Sequence, residues 1–454
     1  MKLKGQKVVV IGAGVSGIAA ARLALSKEAE VTLLDTGSHD KLMTRSATLR
    51  TEGINVITGD KALEAETDGF ALGIISPGID PSWPLAARYM DKVKVISELE
   101  FAFLYLPKRT KAVAITGTNG KTTTTGLIAT TLNASGISCS PCGNYGTPLS
   151  SLVDSRQVPN VVAIEVSSFQ LEKIETFRAD ISIWLNFAED HLDRHPDMKS
   201  YKAAKDRIFE NLTKDDLAIV RSKEDVPKHD AKTISFTAQP RAKADYTLKG
   251  TEIFHKSKMV CDILDSPLRG RHNAENVMAT IAAVTELGAT AADVQEALPN
   301  FRAPLHRCEL IDTADDGTEF INDSKSTNIH SLESALNAFD IPIALIVGGK
   351  DKGLDYKKVA SVVKKKTCAV VTIGEIGKDL AKLFKGTHVD TMDKAVDTAT
   401  SLLRKLSPTS TGMVLLSPGT SSFDQYSSYA DRGDAFRHAV GNLIHKESPD
   451  PILP

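Results

Sequence analysis

Residues 117–123 read GTNGKTT and lie between an apolar, strand-like run and a threonine-rich segment of helical character. A glycine turn in this setting directs backbone N–H groups at phosphate oxygens. Lys121 would neutralise the terminal phosphates of a nucleoside triphosphate, and Thr122 would offer its hydroxyl to magnesium. The usual phosphate loop has glycine at position 115, where this chain has Ile115. The pattern therefore predicts a variant phosphate loop, with an ordinary glycine turn as the alternative.

Possible metal ligands follow the next two strand-like runs. Glu165 ends one run, and residues 186–195, NFAEDHLDRH, follow another. Because the C-terminal ends of parallel strands share one edge, we expect Glu165, Asp190 and His191 near a common crevice suited to magnesium. His191 and His195 also have the spacing of a zinc pair. The residue after His191 is not the glutamate that a metalloprotease needs, so catalytic zinc is not favoured.

A second glycine turn, GAGVSG at residues 12–17, follows the first strand-like run. Asp35 ends the next run, where an acidic residue can meet a ribose hydroxyl, and the helix N-terminus can meet a diphosphate. Ser76 ends another run and can line the same crevice. These features permit a dinucleotide or a nucleotide sugar, with a tight packing turn as the alternative, and a simple turn explains Ser76 equally well. An NAD-dependent oxidoreductase is therefore one hypothesis.

Lys205 lies in residues 201–206, YKAAKD, within a predicted helix. Lysines in such a segment most often lie on a solvated face. The pattern alone therefore assigns Lys205 no function.

The elements that must position these residues alternate between short apolar runs and helix-length segments, which predicts a parallel α/β fold. Residues 217–269 instead predict short strands and turns. The pattern pauses near residues 106–108 and 301–305, where we expect domain boundaries. Predicted strands are 7–11, 31–34, 71–75, 93–96, 112–116, 161–164, 181–185, 320–321, 343–347, 369–373 and 413–416.

The composition excludes several classes of protein. The 454 residues, at about 150 per domain, predict about three domains. With 55 basic and 57 acidic side chains the net charge is −2, so broad binding to nucleic acid or anionic membranes is not expected. No run approaches the roughly 18 apolar residues of a membrane span, and no signal-peptide pattern is present. We expect a cytoplasmic monomer, without membrane insertion, whose five cysteines are reduced and structural.

Several segments together resemble the Mur ligase family, the ATP-dependent enzymes that add amino acids to the cell-wall precursor. The resemblance covers nearly the whole chain in order. Its motifs are GTNGKTT at 117–123, EVSSFQLE at 165–172, NFAEDHLDRH at 186–195, YKAAKDRIF at 201–209, GRHNAEN at 270–276, LHRCE at 305–309 and NDSKSTN at 322–328.

The resemblance implies three domains: a Rossmann-like UDP-binding domain (1–108), a central P-loop ATPase-like domain (109–303) and a C-terminal Rossmann-like α/β domain that binds the incoming amino acid (304–454). It also implies that ATP and two magnesium ions are required. Lys121, His191 and Lys205 would be the catalytic residues. Lys205 would be carbamylated, because an unmodified ammonium has no lone pair for a metal ion.

The resemblance assigns further residues to ligands. The UDP-substrate contacts are Ser16, Asp35, Thr36, Ser76 and Asn144. The ATP contacts are Gly117, Thr118, Asn119, Gly120, Lys121, Thr122, Thr123, Asn276, Arg307 and Asp323. The magnesium ligands are Thr122, Glu165, His191 and Lys205. The remaining substrate contacts are Lys325, Thr327, Lys352, Ser422 and Tyr429. Without the resemblance, Asn144 would be a turn residue and Lys352 a surface charge.

Residues 416–424, LSPGTSSFD, and the Arg432-Gly433 pair resemble family members that add D-glutamate to UDP-N-acetylmuramoyl-L-alanine. The DNPR sequence of diaminopimelate-adding members is absent. The resemblance implies activation of the substrate carboxylate as an acyl phosphate, with groups of the central and C-terminal domains brought together by domain closure. A related ligase with another amino-acid specificity, the oxidoreductase and a P-loop ATPase switch are the alternatives.

Overall fold

The computed structural model describes residues 1–155, 157–192, 194–264, 266–268, 270–301, 305–339, 341–407 and 411–447. Within these ranges the strands form three sheets, and helices connect them. The predicted α/β class is therefore confirmed. The expected boundary between residues 303 and 304 lies outside the described ranges.

The N-terminal sheet is parallel and has the strand order β3-β2-β1-β4-β5. This order follows the doubly wound Rossmann pattern, in which ligands bind at the C-terminal ends of the strands. Its central strand, KVVVI, is buried at four of five positions, as expected for a strand covered on both faces. The strands are β1 (Lys7–Ile11), β2 (Glu30–Asp35), β3 (Asn55–Thr58), β4 (Leu72–Ile75) and β5 (Val95–Ser97).

The central sheet has the order β14-β13-β12-β11-β10-β9-β6-β8-β7. In the sheet, neighbouring strands pair in parallel from β7 at one edge, through β8, β6, β9, β10 and β11, to β12. Strands β12, β13 and β14 form an antiparallel meander. The strands are β6 (Lys111–Thr116), β7 (Cys139–Gly143), β8 (Val161–Glu165), β9 (Ile181–Trp184), β10 (Leu217–Arg221), β11 (Lys232–Thr237), β12 (Tyr246–Lys249), β13 (Glu252–His255) and β14 (Lys258–Asp262).

The C-terminal sheet has the order β15-β16-β20-β17-β18-β19. Its pairs are parallel except that of β15 with β16. The strands are β15 (Glu309–Thr313), β16 (Glu319–Asn322), β17 (Ile343–Gly348), β18 (Thr367–Ile373), β19 (Thr387–His388) and β20 (Met413–Leu416).

The helices cover the sheets and supply the segments that follow the strand ends. They are α1 (Val15–Ser26), α2 (Asp40–Thr51), α3 (Asp60–Glu64), α4 (Pro84–Met90), α5 (Glu98–Phe103), α6 (Lys121–Ala134), α7 (Leu149–Asp154), α8 (Ser168–Leu171), α9 (Met198–Asp206), α10 (Arg271–Glu286), α11 (Ala291–Ala297), α12 (Ile329–Ala338), α13 (Lys357–Lys366), α14 (Gly377–Phe384), α15 (Met392–Leu406) and α16 (Tyr429–Glu447).

The chain forms two compact units. Unit 1 contains residues 1–187, 191–262 and 276–297, and unit 2 contains 188–190, 263–275 and the described residues from 298 onward. Unit 1 holds the N-terminal and central sheets, and one apolar core includes residues of both. In unit 2, apolar cores flank the C-terminal sheet.

Each predicted strand is confirmed, with ends that differ by three residues or fewer. The segment from 217 onward contains the expected short strands. Strands β3, β7, β15 and β19 were not predicted. The sequence of β7, CSPCG, contains proline and glycine, which are depleted in strands, and tertiary pairing with β8 overrides that tendency.

Candidate active site

The phosphate loop connects β6 to α6 in unit 1. Gly117 and Gly120 have φ values of +147° and +86°, a backbone region that favours glycine. Ile115 is fully buried in β6. The turn is therefore made at Gly117, two residues after the usual glycine position, and the apolar residue at 115 serves the core.

Asn186 holds this loop from the end of the neighbouring strand β9. The Thr118 N–H donates to the Asn186 backbone oxygen (2.9 Å). The Asn119 N–H donates to Asn186 Oδ1 (2.8 Å), and Asn186 Nδ2 donates to the Asn119 oxygen (3.0 Å). Asn186 was not predicted as a site residue. Its position directly after a buried strand, at the edge where ligands bind, is the signal that could have identified it.

Two lysines converge on one backbone carbonyl of the loop. Lys121 Nζ donates to the oxygens of Gly117 (2.8 Å) and Thr118 (2.9 Å). Lys205 Nζ donates to the same Gly117 oxygen (2.9 Å) and has a longer contact with Thr116 Oγ1 (3.4 Å). Lys205 is only 1% exposed. The solvated-surface interpretation of Lys205 is therefore wrong.

Helix α9 delivers Lys205 to the loop. Asp197 caps the helix by accepting a hydrogen bond from the Ser200 N–H (2.7 Å). Tyr201 and Lys205 are buried one turn apart on the same face, and Lys205 Nζ lies 5.0 Å from the centre of the Tyr201 ring. Tyr201 Oη also lies 3.4 Å from Thr118 Oγ1. Tyr201 stands four positions before Lys205, so both lie on one face of the helix. This spacing is the sequence signal that could have identified the buried face.

Glu165 and Asn144 meet where β8 and β7 end. Asn144 Nδ2 donates to Glu165 Oε1 (2.8 Å), and the Asn144 N–H donates to the Glu165 backbone oxygen (2.9 Å). Glu165 is 3% exposed, whereas Asn144 is exposed. The predicted magnesium ligand and the predicted substrate contact are thus adjacent, and Asn144 is also a turn residue.

His191 and His195 have different surroundings. His191 has a φ of +56°, and its ring lies 5.1 Å from that of Phe169. His195 is buried between Phe169 and Tyr201, and its Nε2 lies 2.9 Å from Ser168 Oγ. No group of three or more His, Cys, Asp or Glu residues is positioned to hold a metal within the described part of the chain.

Three further residues predicted to contact ATP lie in unit 1. Thr122 and Thr123 are buried in the first turn of α6. Asn276, in α10, lies against the phosphate loop, because a Cβ atom added at Gly120 would come within 2.3 Å of Asn276 Oδ1. The amide group of Asn276 therefore occupies space that only glycine at position 120 leaves open.

The Asp35 carboxylate is built into the N-terminal glycine turn. Its Oδ2 accepts from the Ala13 N–H (2.7 Å), and its Oδ1 accepts from the Gly37 N–H (2.7 Å). Asp35 therefore joins the turn after β1 to the loop after β2. Around it, Ser16 is half-buried, Thr36 is exposed and Ser76 is buried.

Asp323, in unit 2, follows β16 and is buried. Burial raises the pKa of its carboxyl from 3.8 to about 7, against the opposing effects of the Ser417 hydroxyl and the Arg307 charge. Ser417 Oγ donates to Asp323 Oδ2 (2.9 Å), and the Cys308 N–H donates to Oδ1 (3.2 Å). Arg307 and Asp323, both predicted to bind ATP, are thus electrostatic neighbours.

The remaining predicted substrate contacts lie in unit 2, on loops except for Tyr429, which is the first residue of α16. Lys325 Nζ lies 5.1 Å from the centre of the Tyr429 ring. Lys352 is exposed, and its Nζ makes a long contact of 3.5 Å with the Thr327 oxygen. Ser422 is 2% exposed. The structure thus places Lys325 beside Tyr429 and Lys352 beside Thr327. Asp190 also belongs to unit 2, where Asn328 Nδ2 donates to its Oδ2 (2.9 Å).

All five cysteines are free thiols, as expected. Among the described helices, none is both long and apolar enough to cross a membrane.

Family models match most of the chain. The model "Mur ligase middle domain" matches residues 115–284, and "Mur ligase, glutamate ligase domain" matches 306–419. Residues 2–71 match "Alanine dehydrogenase/PNT, C-terminal domain", in agreement with a Rossmann-like N-terminal domain.

Curated relatives match over their full length. The chain is 34% identical to the UDP-N-acetylmuramoylalanine--D-glutamate ligase of Koribacter versatilis, covering 98% of this chain and 100% of the relative. It is 36% identical to the protein of the same name from Geotalea daltonii, covering 98% and 99%. The solved MurF ligase of Thermotoga maritima in complex with ADP shares the fold at 13% identity, with a TM-score of 0.62 and coverage of 98% and 97%. We conclude that the chain belongs to the Mur ligase family, the ATP-dependent ligases of peptidoglycan precursor synthesis.

Proposed function

We propose that this protein joins D-glutamate to UDP-N-acetylmuramoyl-L-alanine and converts ATP to ADP and phosphate. The full-length relatives at 34–36% identity carry this specificity in their names, which favours it over a related ligase with another amino acid. In this proposal residues 1–108 bind the UDP portion, 109–303 bind ATP and 304–454 bind the amino acid. The N-terminal glycine turn would then serve a nucleotide sugar, and the oxidoreductase and switch alternatives are not needed.

The observation that carries the proposal is the convergence of Lys121 and Lys205 on the Gly117 oxygen. A lysine folded onto its own phosphate loop can turn toward a triphosphate when one binds. The buried Lys205 ammonium is unfavourable beside the Lys121 ammonium at the same carbonyl. Carbon dioxide would convert Lys205 to a carbamate, which removes the like charge and supplies oxygen ligands. This charge argument supports carbamylation of Lys205.

The residues beside the loop fit magnesium. Glu165, His191 and the Thr122 hydroxyl, together with the Lys205 carbamate, would hold two ions, and carboxylate and hydroxyl oxygens are the hard ligands that magnesium prefers. When bound, magnesium neutralises charge on the phosphates of ATP.

The chain's own residues would act on the substrates in two steps. Lys121 would stabilise negative charge as an oxygen of the L-alanine carboxylate attacks the γ-phosphorus and the bond to ADP breaks. The acyl phosphate has a better leaving group than the carboxylate. The D-glutamate amine would then attack the acyl carbon and lose a proton, and phosphate would leave through a tetrahedral intermediate. We propose that Arg307 and Asp323 also contact ATP, as the family resemblance implies.

Lys352 tests the assignment of the amino-acid subsite. If it pairs with a substrate carboxylate, Lys352→Ala should raise the KM for D-glutamate about tenfold or more, with the KM for ATP within about twofold. The exposed Lys357→Ala variant, on α13, is the matched control. Equal effects of Lys352→Ala on both KM values would remove Lys352 from the subsite.

Carbamylation of Lys205 has a direct spectroscopic test. Protein equilibrated with ¹³C-bicarbonate should show a carbamate carbon resonance that Lys205→Arg lacks and Lys202→Arg, on the same helix, retains. A spectrum without a Lys205-dependent resonance would contradict carbamylation and leave the ligase assignment to be judged on its product.

A further inference from the structure

Arg432, on the first turns of α16, is a buried arginine that none of the preceding assignments uses. Its side chain is among the largest that are fully buried, at 1% exposure. Arg432 Nε donates to Ser324 Oγ (3.0 Å), and Nη2 donates to the backbone oxygens of Ser324 (2.8 Å) and Thr420 (3.0 Å). One guanidinium group therefore fastens two loops that lie about a hundred residues apart in sequence.

These two loops carry predicted substrate contacts. Ser324 directly precedes Lys325, and its Oγ also donates to the Tyr429 oxygen (2.8 Å). Thr420 lies two residues before Ser422. Arg432 thus holds the two loops that bear Lys325, Thr327 and Ser422, which are three of the five substrate contacts predicted in unit 2.

A third loop approaches the same group. The Lys350 N–H donates to the Ser421 oxygen (3.0 Å), which joins the turn before Lys352 to the loop of Ser422. A Cβ atom added at Gly349 would lie 3.0 Å from Arg432 Nη1. The guanidinium is therefore packed beneath the turn that leads to Lys352.

Arg432 Nη1 has no hydrogen-bond acceptor among the described residues, although it is buried. A buried donor without an acceptor is costly, and an arginine with a purely structural role normally uses its donors. A buried positive charge among these loops also favours an anionic ligand nearby. Asp424 and Asp323 are the acidic groups whose charges act on Arg432.

We propose that Arg432 is a positioning residue for the amino-acid subsite: its guanidinium fixes the three loops that present Lys325, Ser422 and Lys352 to a dicarboxylic amino acid. This inference rests on the proposed function. Arg432 should affect the second half-reaction, in which the amino acid attacks the acyl phosphate, because the loops that it holds carry residues assigned to the amino acid.

The test compares Arg432→Lys with Arg437→Lys, which changes a half-buried arginine on the same helix that pairs with Glu309 (2.7 Å). Lysine keeps the charge at position 432 but cannot make the forked contacts to Ser324 and Thr420. Arg432→Lys should raise the KM for D-glutamate about tenfold or more, leaving the KM for ATP within about twofold. Arg437→Lys should change neither value by more than about twofold.

Trapping the acyl phosphate separates positioning from general damage to the fold. With hydroxylamine in place of D-glutamate, Arg432→Lys should form the hydroxamate of the UDP-substrate at close to the wild-type rate. The milder Ser324→Ala variant, which removes the Nε acceptor together with the hydroxyl that donates to the Tyr429 oxygen, should show the same selective rise in the D-glutamate KM. An unchanged D-glutamate KM in folded Arg432→Lys, or equal losses in both half-reactions, would overturn the proposal.

The wild-type protein is assayed first, which separates the two claims. If it used another amino acid in place of D-glutamate, the proposed specificity would fail. The Arg432 comparison would then be made with that amino acid and the same two outcomes.

Discussion

At the scale of single residues, burial and shared partners change what a side chain can do. Lys205 and Asp323 both carry ionisable groups that the fold removes from water. For Lys205 the neighbouring group is the carbonyl that also binds Lys121. For Asp323 the surrounding residues leave a carboxyl group whose pKa is about 7, so that its charge changes near neutral pH.

Asp323 should make stability depend on pH. Because its pKa is raised from 3.8 to about 7 on folding, the stability that it contributes is fully present below about pH 4 and is lost as pH rises through 7. Asp323→Asn resembles the protonated form. Its free energy of unfolding should match wild type near pH 4 and exceed it by up to about 4 kcal/mol above pH 7. Chemical denaturation from pH 4 to 8 measures this gap.

The exposed Asp312→Asn variant, on β15, controls for the loss of a carboxylate. A gap between Asp323→Asn and wild type that stays constant with pH would contradict the buried-carboxyl account.

At the scale of elements, the turns at strand ends position the chemistry. Helix α6 begins immediately after Gly120 and ends shortly before Gly136, and both glycines have positive φ, +86° and +80°. A Cβ atom at Gly120 would meet the side chains of Asn276 and Leu185, whereas one at Gly136 would have nothing within 4 Å. A substitution at Gly136 therefore tests backbone strain alone, whereas a substitution at Gly120 adds a steric conflict at the phosphate loop.

Gly120→Ala should weaken ATP binding more than tenfold, because the added methyl group displaces Asn276 and distorts the phosphate loop. Gly136→Ala carries similar backbone strain in open space, so it should cost about 1 kcal/mol of stability and leave ATP affinity within about twofold. Titration with a fluorescent ATP analogue compares the variants. Equal ATP affinities would show that the glycine at position 120 is not required by the site.

The Glu100 carboxylate, on helix α5, accepts several hydrogen bonds from a loop of the proposed second domain. Glu100 is 1% exposed and accepts from the N–H groups of Glu175 (2.9 Å), Thr176 (2.9 Å) and Phe177 (2.8 Å) and from the Thr176 hydroxyl (2.6 Å). These contacts join an element of the proposed first domain to a loop of the second.

Glu100→Gln should lower the free energy of unfolding by about 2–4 kcal/mol, because the amide replaces an acceptor with a donor and leaves buried N–H groups without partners. The exposed Glu64→Gln variant, at the end of α3, should change it by less than about 0.5 kcal/mol. Thermal and chemical unfolding of both variants give the comparison. Similar stabilities for the two would show that the Glu100 contacts are dispensable.

At the scale of the whole molecule, local pattern predicts the alternation of strands and helices well, because buried parallel strands are continuous apolar runs. Strand β15, ELIDT, is polar and half-exposed, so no local apolar run predicts it. It forms a strand because it pairs with β16. The positions of the GTNGKTT turn and of Glu165 at strand ends were predictable, because each directly follows or ends a local apolar run. The surroundings of Arg432 were not, because its contacts come from segments up to 108 residues away.

The central claim is tested most directly by the mass of the product. Purified protein is incubated with ATP, magnesium and UDP-N-acetylmuramoyl-L-alanine, adding D-glutamate, L-glutamate or other amino acids separately, and phosphate release is followed in parallel. The account predicts a joined product and matching phosphate release with D-glutamate, and neither with L-glutamate. A product with another amino acid only, or ATP turnover without any joined product, would contradict it.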